Sequence, residues 1–155
     1  LGRLQGLAGK MDEITTILSK YKTVAVVGLS QDTGKDSYRV AEYLQSKGYR
    51  IIPINPFADE ILGEKVYKSL SDMPEDLQRG VEIVDIFRRA EDVPSIVEEA
   101  ISLRRRYGNP QVIWMQLGIV NKEAAEKAER TGLLVVMDKC MMIERRSRDG
   151  MLKSP

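Results

Sequence analysis

Five short apolar runs alternate along this chain with stretches of helical periodicity. The runs cover 23–27 (TVAVV), 50–54 (RIIPI), 81–87 (VEIVDIF), 112–117 (VIWMQL) and 133–137 (LLVVM). They are near-continuous and rich in β-branched residues, the pattern of parallel strands covered on both faces. Between them, apolar residues recur at three- and four-residue spacing: Ile14, Ile17 and Leu18, then Val40, Ala41 and Leu44, then Val93, Ile96, Val97, Ala100, Ile101 and Leu103. This spacing predicts helices over 12–20, 38–47 and 91–106, with Pro94 in a first turn where its missing N–H costs nothing. A fourth helix, 121–130, has Asn121 as its cap and Gly132 at its end. Residues 58–80 carry no clear period, beyond an extended piece at Val66-Tyr67 and a short helical piece over 71–77. Strands alternating with helices predict an α/β fold, a single Rossmann-like doubly wound parallel sheet of five strands in the order 3-2-1-4-5. The domain is expected over 12–147, with 1–11 a tail or non-native remnant and 148–155 a second tail.

The first strand runs into Gly28-Leu29-Ser30-Gln31-Asp32-Thr33-Gly34-Lys35-Asp36-Ser37. Glycine lets a backbone approach a ligand, and a helix start presents unpaired N–H groups and a positive dipole end, so this loop is a candidate phosphate cradle. Ser37 is the expected helix cap, and Lys35 adds a full charge. The dinucleotide fingerprint is incomplete, since Ser30 stands where its second glycine belongs. The second strand ends Ile54-Asn55-Pro56 with no carboxylate to read a ribose, which also counts against NAD. Taken alone, the loop also fits, less well, a tight turn that holds nothing.

Composition narrows the choice. The chain has 24 basic and 23 acidic residues among 155, net charge +1, and no basic stripe, so a nucleic-acid partner is not expected. No apolar run approaches the ~18 residues of a membrane span, so a soluble, cytoplasmic protein is expected. Cys140 is the single cysteine and histidine is absent. That leaves no zinc cluster, no metal set and no nucleophile–base pair, so no catalytic residue is nominated. In open α/β sheets ligands bind outside the carboxyl ends of the strands, at the switch point, here expected between strands one and four. Gathered at those ends are Gly28-Leu29-Ser30, Asn55-Pro56, Phe87-Arg88, Gln116-Leu117-Gly118 and Asp138-Lys139-Cys140. Phe87 also fits a core position, Asp85 a hydrogen-bonded strand position, and Cys140 an inert small hydrophobe.

Three segments, VAVVGLSQDTGKDSYRVAEYLQSKGYRIIPINP, VDIFRRAEDVPSIVEEAI and VIWMQLGIVNKEAAEKAERTGLLVVMDKCMMIE, stand in this order. Together they resemble the stand-alone CoA-binding proteins of bacteria and archaea, related to the CoA-binding domain of the succinyl-CoA synthetase alpha subunit. The resemblance covers about Ile14 to Arg146. It implies a CoA or acyl-CoA ligand, with Gly28, Leu29, Ser30, Lys35, Ser37, Tyr38 and Arg39 on the phosphate side. Asn55, Pro56, Phe87, Arg88 and Val93 would line the adenosine side, and Gln116 with Gly118 the floor toward the pantetheine. The synthetase's phosphorylated histidine lies in a further domain, so ligase activity is not implied for this chain alone. The expected function is CoA or acyl-CoA binding without catalysis. A subunit completed by a synthetase-type partner and a nucleotide-binding regulatory module are the alternatives, and a homo-oligomer is also compatible. Cys140, two strands from the loop in the expected order and so about 10 Å away, is a candidate contact for the CoA thiol.

Overall fold

The computed structural model describes residues 13–152. The expected tail over 1–11 and the start of the first helix at Asp12 lie outside the described residues. A helix through 13–20 (α1) is followed by β1 (Thr23–Val27), α2 (Asp36–Ser46), β2 (Arg50–Ile54), a hairpin of β3 (Glu60–Ile61) and β4 (Glu64–Lys65), and α3 (Glu75–Gly80). Then come β5 (Ile83–Ile86), α4 (Val93–Tyr107), β6 (Val112–Met115), α5 (Lys122–Arg130), β7 (Leu134–Val136) and α6 (Met141–Arg146). The five long strands form one parallel sheet and the fold class is the expected one. Among the described residues no helix is long and apolar enough to cross a membrane.

The strand order differs from expectation. It is β2-β1-β5-β6-β7, which in the count of five is 2-1-3-4-5, so the third strand pairs with β1 instead of lying outside β2. The reason is visible at Pro53. Its carbonyl accepts from Tyr67 N at 3.0 Å on the side of β2 away from β1, and its missing N–H belongs to that same outer side. A strand there would lack a donor, and proline inside a strand is confined to sheet edges. Among the described residues, the strand pairing on the outer side is a single parallel bridge between Ile54 and Tyr67. The switch point therefore lies between β1 and β2 on one side and β5 on the other.

Alternation along the strands divides the core in two. Ala25, Val27, Ile52, Ile54, Val84, Ile86, Ile113 and Met115 face α3, α4 and α5. Val24, Val26, Ile51, Ile83, Val112 and Trp114 face α1, α2 and α6. Helix α2 buries Val40, Ala41 and Leu44 there, each large side chain contributing roughly 1.5–3 kcal/mol. Two pieces are not legible as elements in the sequence. The hairpin turns at Leu62 and Gly63, both at positive φ (55° and 75°), without the usual Asn-Gly signal. Helix α6 is only six residues long, too short to show a period. Residues 148–152 do not behave as a tail: Arg148 Nε donates to Thr15 Oγ1 at 2.9 Å, and Leu152 is buried against the α2 side of the sheet.

Candidate functional site

The carboxyl ends of β2, β1 and β5 are tied together around Gly28. Its amide donates to Ile54 O at 2.9 Å, and the Phe87 amide donates to Val27 O at 2.8 Å. Gly28 has φ +90°, and a Cβ there would lie 2.4 Å from the Phe87 carbonyl oxygen. The glycine is therefore required by the closure of β1 on β5, independently of any ligand.

The loop that follows is largely self-paired. Leu29 is fully buried. The Ser30 amide donates to Ser37 Oγ (3.0 Å), the Asp32 amide to Ser30 Oγ (3.0 Å) and the Gly34 amide to Asp32 Oδ1 (2.9 Å). Asn55 Nδ2 donates to Leu29 O at 2.9 Å, while its Oδ1 accepts from the Phe57 and Ala58 amides, so one side chain fastens the β2 tip to the loop. Ser37 is not the helix cap that its sequence position suggests. Helix α2 starts at Asp36 with Lys35 as its N-cap residue, and the buried Ser37 hydroxyl turns back to the loop. What remains outward is the start of α2. The first intrahelical bond is from Arg39 N to Lys35 O, so the amides of Asp36, Ser37 and Tyr38 have no partner within the helix. Lys35 is exposed beside them, and Arg39 Nη2 donates to Asp36 Oδ1 at 2.7 Å in a solvent-exposed pair.

On the other face of the sheet, a pocket of about 220 Å³ opens against Gly28. Val27, Ile54, Leu70 and Ile96 supply apolar walls, and Pro56, Lys68, Ser69, Arg88, Asp92, Ser95 and Glu99 complete it. Of the expected residues, this pocket brings together Gly28, Pro56 and Arg88. Arg88 Nη2 lies 3.2 Å from Asp92 Oδ2. Glu99 Oε2 accepts from the Ser71 amide and hydroxyl at 3.1 and 2.7 Å. Val93 is fully buried at the start of α4, and Phe87 and Tyr38 pack against the α2-side core rather than into the pocket. Sequence reasoning misses Lys68, Ser69, Ser95 and Glu99. They come from the poorly patterned 58–80 stretch and the outer turn of α4, where no spacing marks them.

Further along the edge, Asp85 is buried in β5 in register with Val26 and Trp114. Gln116 Nε2 donates to Asp85 Oδ1 at 2.6 Å, and Gln116 Oε1 accepts from the Met141 amide at 3.4 Å, so Gln116 links β5 to the start of α6. Among the described residues, Asp85 Oδ2 has no hydrogen-bond partner. Burial pushes the Asp85 carboxyl up to about 7, against the smaller opposing effect of the Gln116 hydrogen bond. The Gly118 amide donates to Asp138 Oδ1 at 2.6 Å. Cys140, at the N-cap of α6, is half-buried. Because β7 is three strands from β1 instead of two, its separation from the loop grows to about 14 Å.

The sequence pattern of the CoA binding domain family matches residues 22–146. This chain belongs to that family. The CoA-binding domain is 38% identical over 131 residues to the protein YneT of Bacillus subtilis (strain 168), covering 84% of this chain and 90% of that one. It is also 38% identical over 82 residues to an ADP-forming acetate–CoA ligase of Methanocaldococcus jannaschii, a match spanning 53% of this chain but only 11% of the ligase. Among solved structures, a hypothetical protein from Pyrococcus horikoshii OT3 superposes with a TM-score of 0.79 at 36% identity, covering 88% of this chain and 90% of that one. The CoA-binding domain is thus homologous to the CoA-binding region of ADP-forming acetate–CoA ligases and to proteins of its own size.

Proposed function

We propose that this CoA-binding domain holds CoA or an acyl-CoA across the carboxyl ends of β2, β1 and β5, and that it acts by binding, without catalysis of its own. The observation that carries the reading is the position of Gly28. It separates the start of α2, with its outward amides and Lys35, from the pocket beside α4. A ligand with a diphosphate and a flat nucleoside suits that pair: anion at the helix start, ring on the apolar walls. The pocket, about 220 Å³, is smaller than the roughly 300–1,000 Å³ of a cleft that encloses a whole drug-sized molecule, so it takes one end of an extended ligand. Asn55 and Ser37 act in this reading by holding the loop, and Gln116 with Gly118 stand on the pantetheine side. Isothermal titration with CoA, acetyl-CoA, ATP and NAD tests it. Saturable binding of CoA or acetyl-CoA is expected. Binding of NAD with none of CoA would refute the assignment.

One observation favours a second reading, a subunit completed by a partner chain. Phe57 (92% exposed), Leu117 (65%) and Val120 (40%) present apolar side chains on loops at the same carboxyl edge. Exposed apolar surface beside a binding site is a common mark of a docking surface. The homologous region of the Methanocaldococcus jannaschii ligase accounts for a small part of a much longer chain. Co-purification of a synthetase-type subunit, with acyl-CoA synthesis only in the mixture, would establish this reading over the first.

A further inference from the structure

We propose that Lys68 is the specificity determinant for the ribose 3′-phosphate, the group that distinguishes CoA from its 3′-dephospho form and from ADP. This rests on the reading of the site as a CoA site and adds which part of CoA the pocket selects. CoA carries anions at two separated places, a diphosphate and a monophosphate on the ribose. With the diphosphate at the start of α2, the nucleoside passes over Gly28 toward the pocket, and the monophosphate needs a second cation on the far wall.

Two basic side chains line that pocket, Lys68 and Arg88. Arg88 is paired with Asp92 at 3.2 Å, and Arg89 reaches the same carboxylate at 3.5 Å. Lys68 is exposed and, among the described residues, makes no ion pair or hydrogen bond with an acidic side chain. The one other carboxylate of the pocket, Glu99, is turned to Ser71, as its two short hydrogen bonds show. Lys68 is also held at the right remove. Tyr67 N donates to Pro53 O at 3.0 Å and Asn55 N donates to Tyr67 O at 2.9 Å, which fixes this segment along the outer side of β2. Lys68 therefore starts two strand spacings from β1, about 10 Å, while its side chain still reaches the pocket that Gly28 lines. That places a cation on the pocket wall formed by this segment, apart from Lys35, which does not line the pocket. As a whole the pocket balances two cations against two carboxylates, so it is no general anion trap. A phosphate is favoured only at the wall where the charge is unpaired.

The test compares CoA and 3′-dephospho-CoA by titration against the native chain, Lys68→Ala, Lys68→Arg and Lys35→Ala, each checked for native circular dichroism. The native chain is expected to prefer CoA by about tenfold to a hundredfold, the range of one charge-assisted phosphate contact. Lys68→Ala should lose most of that preference, leaving dephospho-CoA affinity within about twofold, and Lys68→Arg should keep it. Lys35→Ala should weaken both ligands alike. Equal affinity of the native chain for the two ligands, or a preference that survives Lys68→Ala, overturns the inference and leaves CoA binding standing. Failure of the native chain to bind either ligand overturns the CoA reading itself.

Discussion

In the loop of residues 29–37, the amides of Ser30, Asp32 and Gly34 each bond to a side chain of the same segment. In the pocket on the other side of Gly28, the polar groups are side-chain ends: Arg88 is paired with Asp92, Glu99 accepts from Ser71, Ser95 Oγ donates to the Asp92 carbonyl, and Lys68 has no acidic partner among the described residues. The first region has committed its donors to its own shape and offers a ligand only the start of α2 and Lys35. The second has apolar walls and, among the described residues, one cation without an acidic partner, Lys68. A loop of this kind can position an anion without rearranging, whereas the pocket supplies discrimination by which cation is left unpaired. The two regions meet at Gly28, so perturbations can be aimed at both, at the loop side alone, or at the ligand contacts alone.

The largest effect is expected from Gly28→Val, which strikes both regions. A β-branched residue at φ +90° carries the left-handed penalty of about 1–2 kcal/mol, and its Cβ overlaps the Phe87 carbonyl at a further overpacking cost of about 1–3 kcal/mol. Denaturant unfolding should show a loss of about 2–5 kcal/mol, and CoA affinity should fall as well, because the added side chain stands against the pocket that Gly28 lines. A variant of native stability that no longer binds would mean instead that Gly28 serves the ligand and that the fold tolerates a side chain there.

Asp85→Asn separates the loop side from the pocket, because Asp85 lies on the α2 and α6 face, away from the α4 pocket. The folded chain keeps the Asp85 proton up to about pH 7, whereas an unfolded carboxyl releases it near the ordinary 3.8. The folded state therefore binds more protons across that window, and native stability falls as pH rises from about 4 to about 7, then levels off. At about 1.4 kcal/mol per pH unit over that window the fall amounts to roughly 4 kcal/mol. Asparagine keeps an acceptor for Gln116 and cannot ionise, so its urea midpoint should lack that slope and exceed the native value at pH 8. Parallel pH profiles for the two chains would mean that Asp85 does not titrate in this range.

Much of the loop side is legible in the sequence, for local reasons. An apolar β-branched run, a glycine and a helix start adjoin along the chain, so β1, Gly28 and α2 follow from neighbouring residues. Ser37 shows where local reading stops: a serine one residue inside a helix looks like a cap, and only the fold shows its hydroxyl turned back to Ser30. The strand order is also within reach, because Pro53 forbids a partner on one side of β2. The pocket is not legible in this way. Lys68 and Glu99 are 31 residues apart in sequence, and what unites them is the return of the 67–70 segment along β2 and the packing of α4, neither of which leaves a spacing signal.

Lys35→Ala sharpens the comparison at the ligand itself. Lys35 is exposed at the N-cap of α2 and makes no cap bond through its side chain, so stability should be unchanged. A charge-assisted contact to the diphosphate is worth about 1.5–3 kcal/mol, so CoA affinity measured by titration should drop about tenfold to a hundredfold. Unchanged affinity would move the diphosphate away from α2.

The smallest effect and the one of opposite sign is expected from Asp36→Asn. In the ligand-free chain this carboxylate is favourable twice over, next to the positive end of α2 and in an exposed pair with Arg39 at 2.7 Å. Each of these is worth at most about 1 kcal/mol when exposed and screened, so a small loss of stability is expected. With a diphosphate at the same helix start, the balance reverses. Asp36 then stands as a like charge beside the ligand and also holds Arg39, whose guanidinium becomes free to turn once the carboxylate is gone. Removing an unfavourable charge at a helix terminus corresponds to about 0.3–1 kcal/mol, so CoA should bind about two- to fivefold more tightly to Asp36→Asn. The gain should shrink as salt is raised, since both groups are solvent-exposed. Weaker binding by this variant, or a gain indifferent to salt, would place the phosphates somewhere other than the start of α2, and the pocket beside α4 would then have to account for the affinity alone.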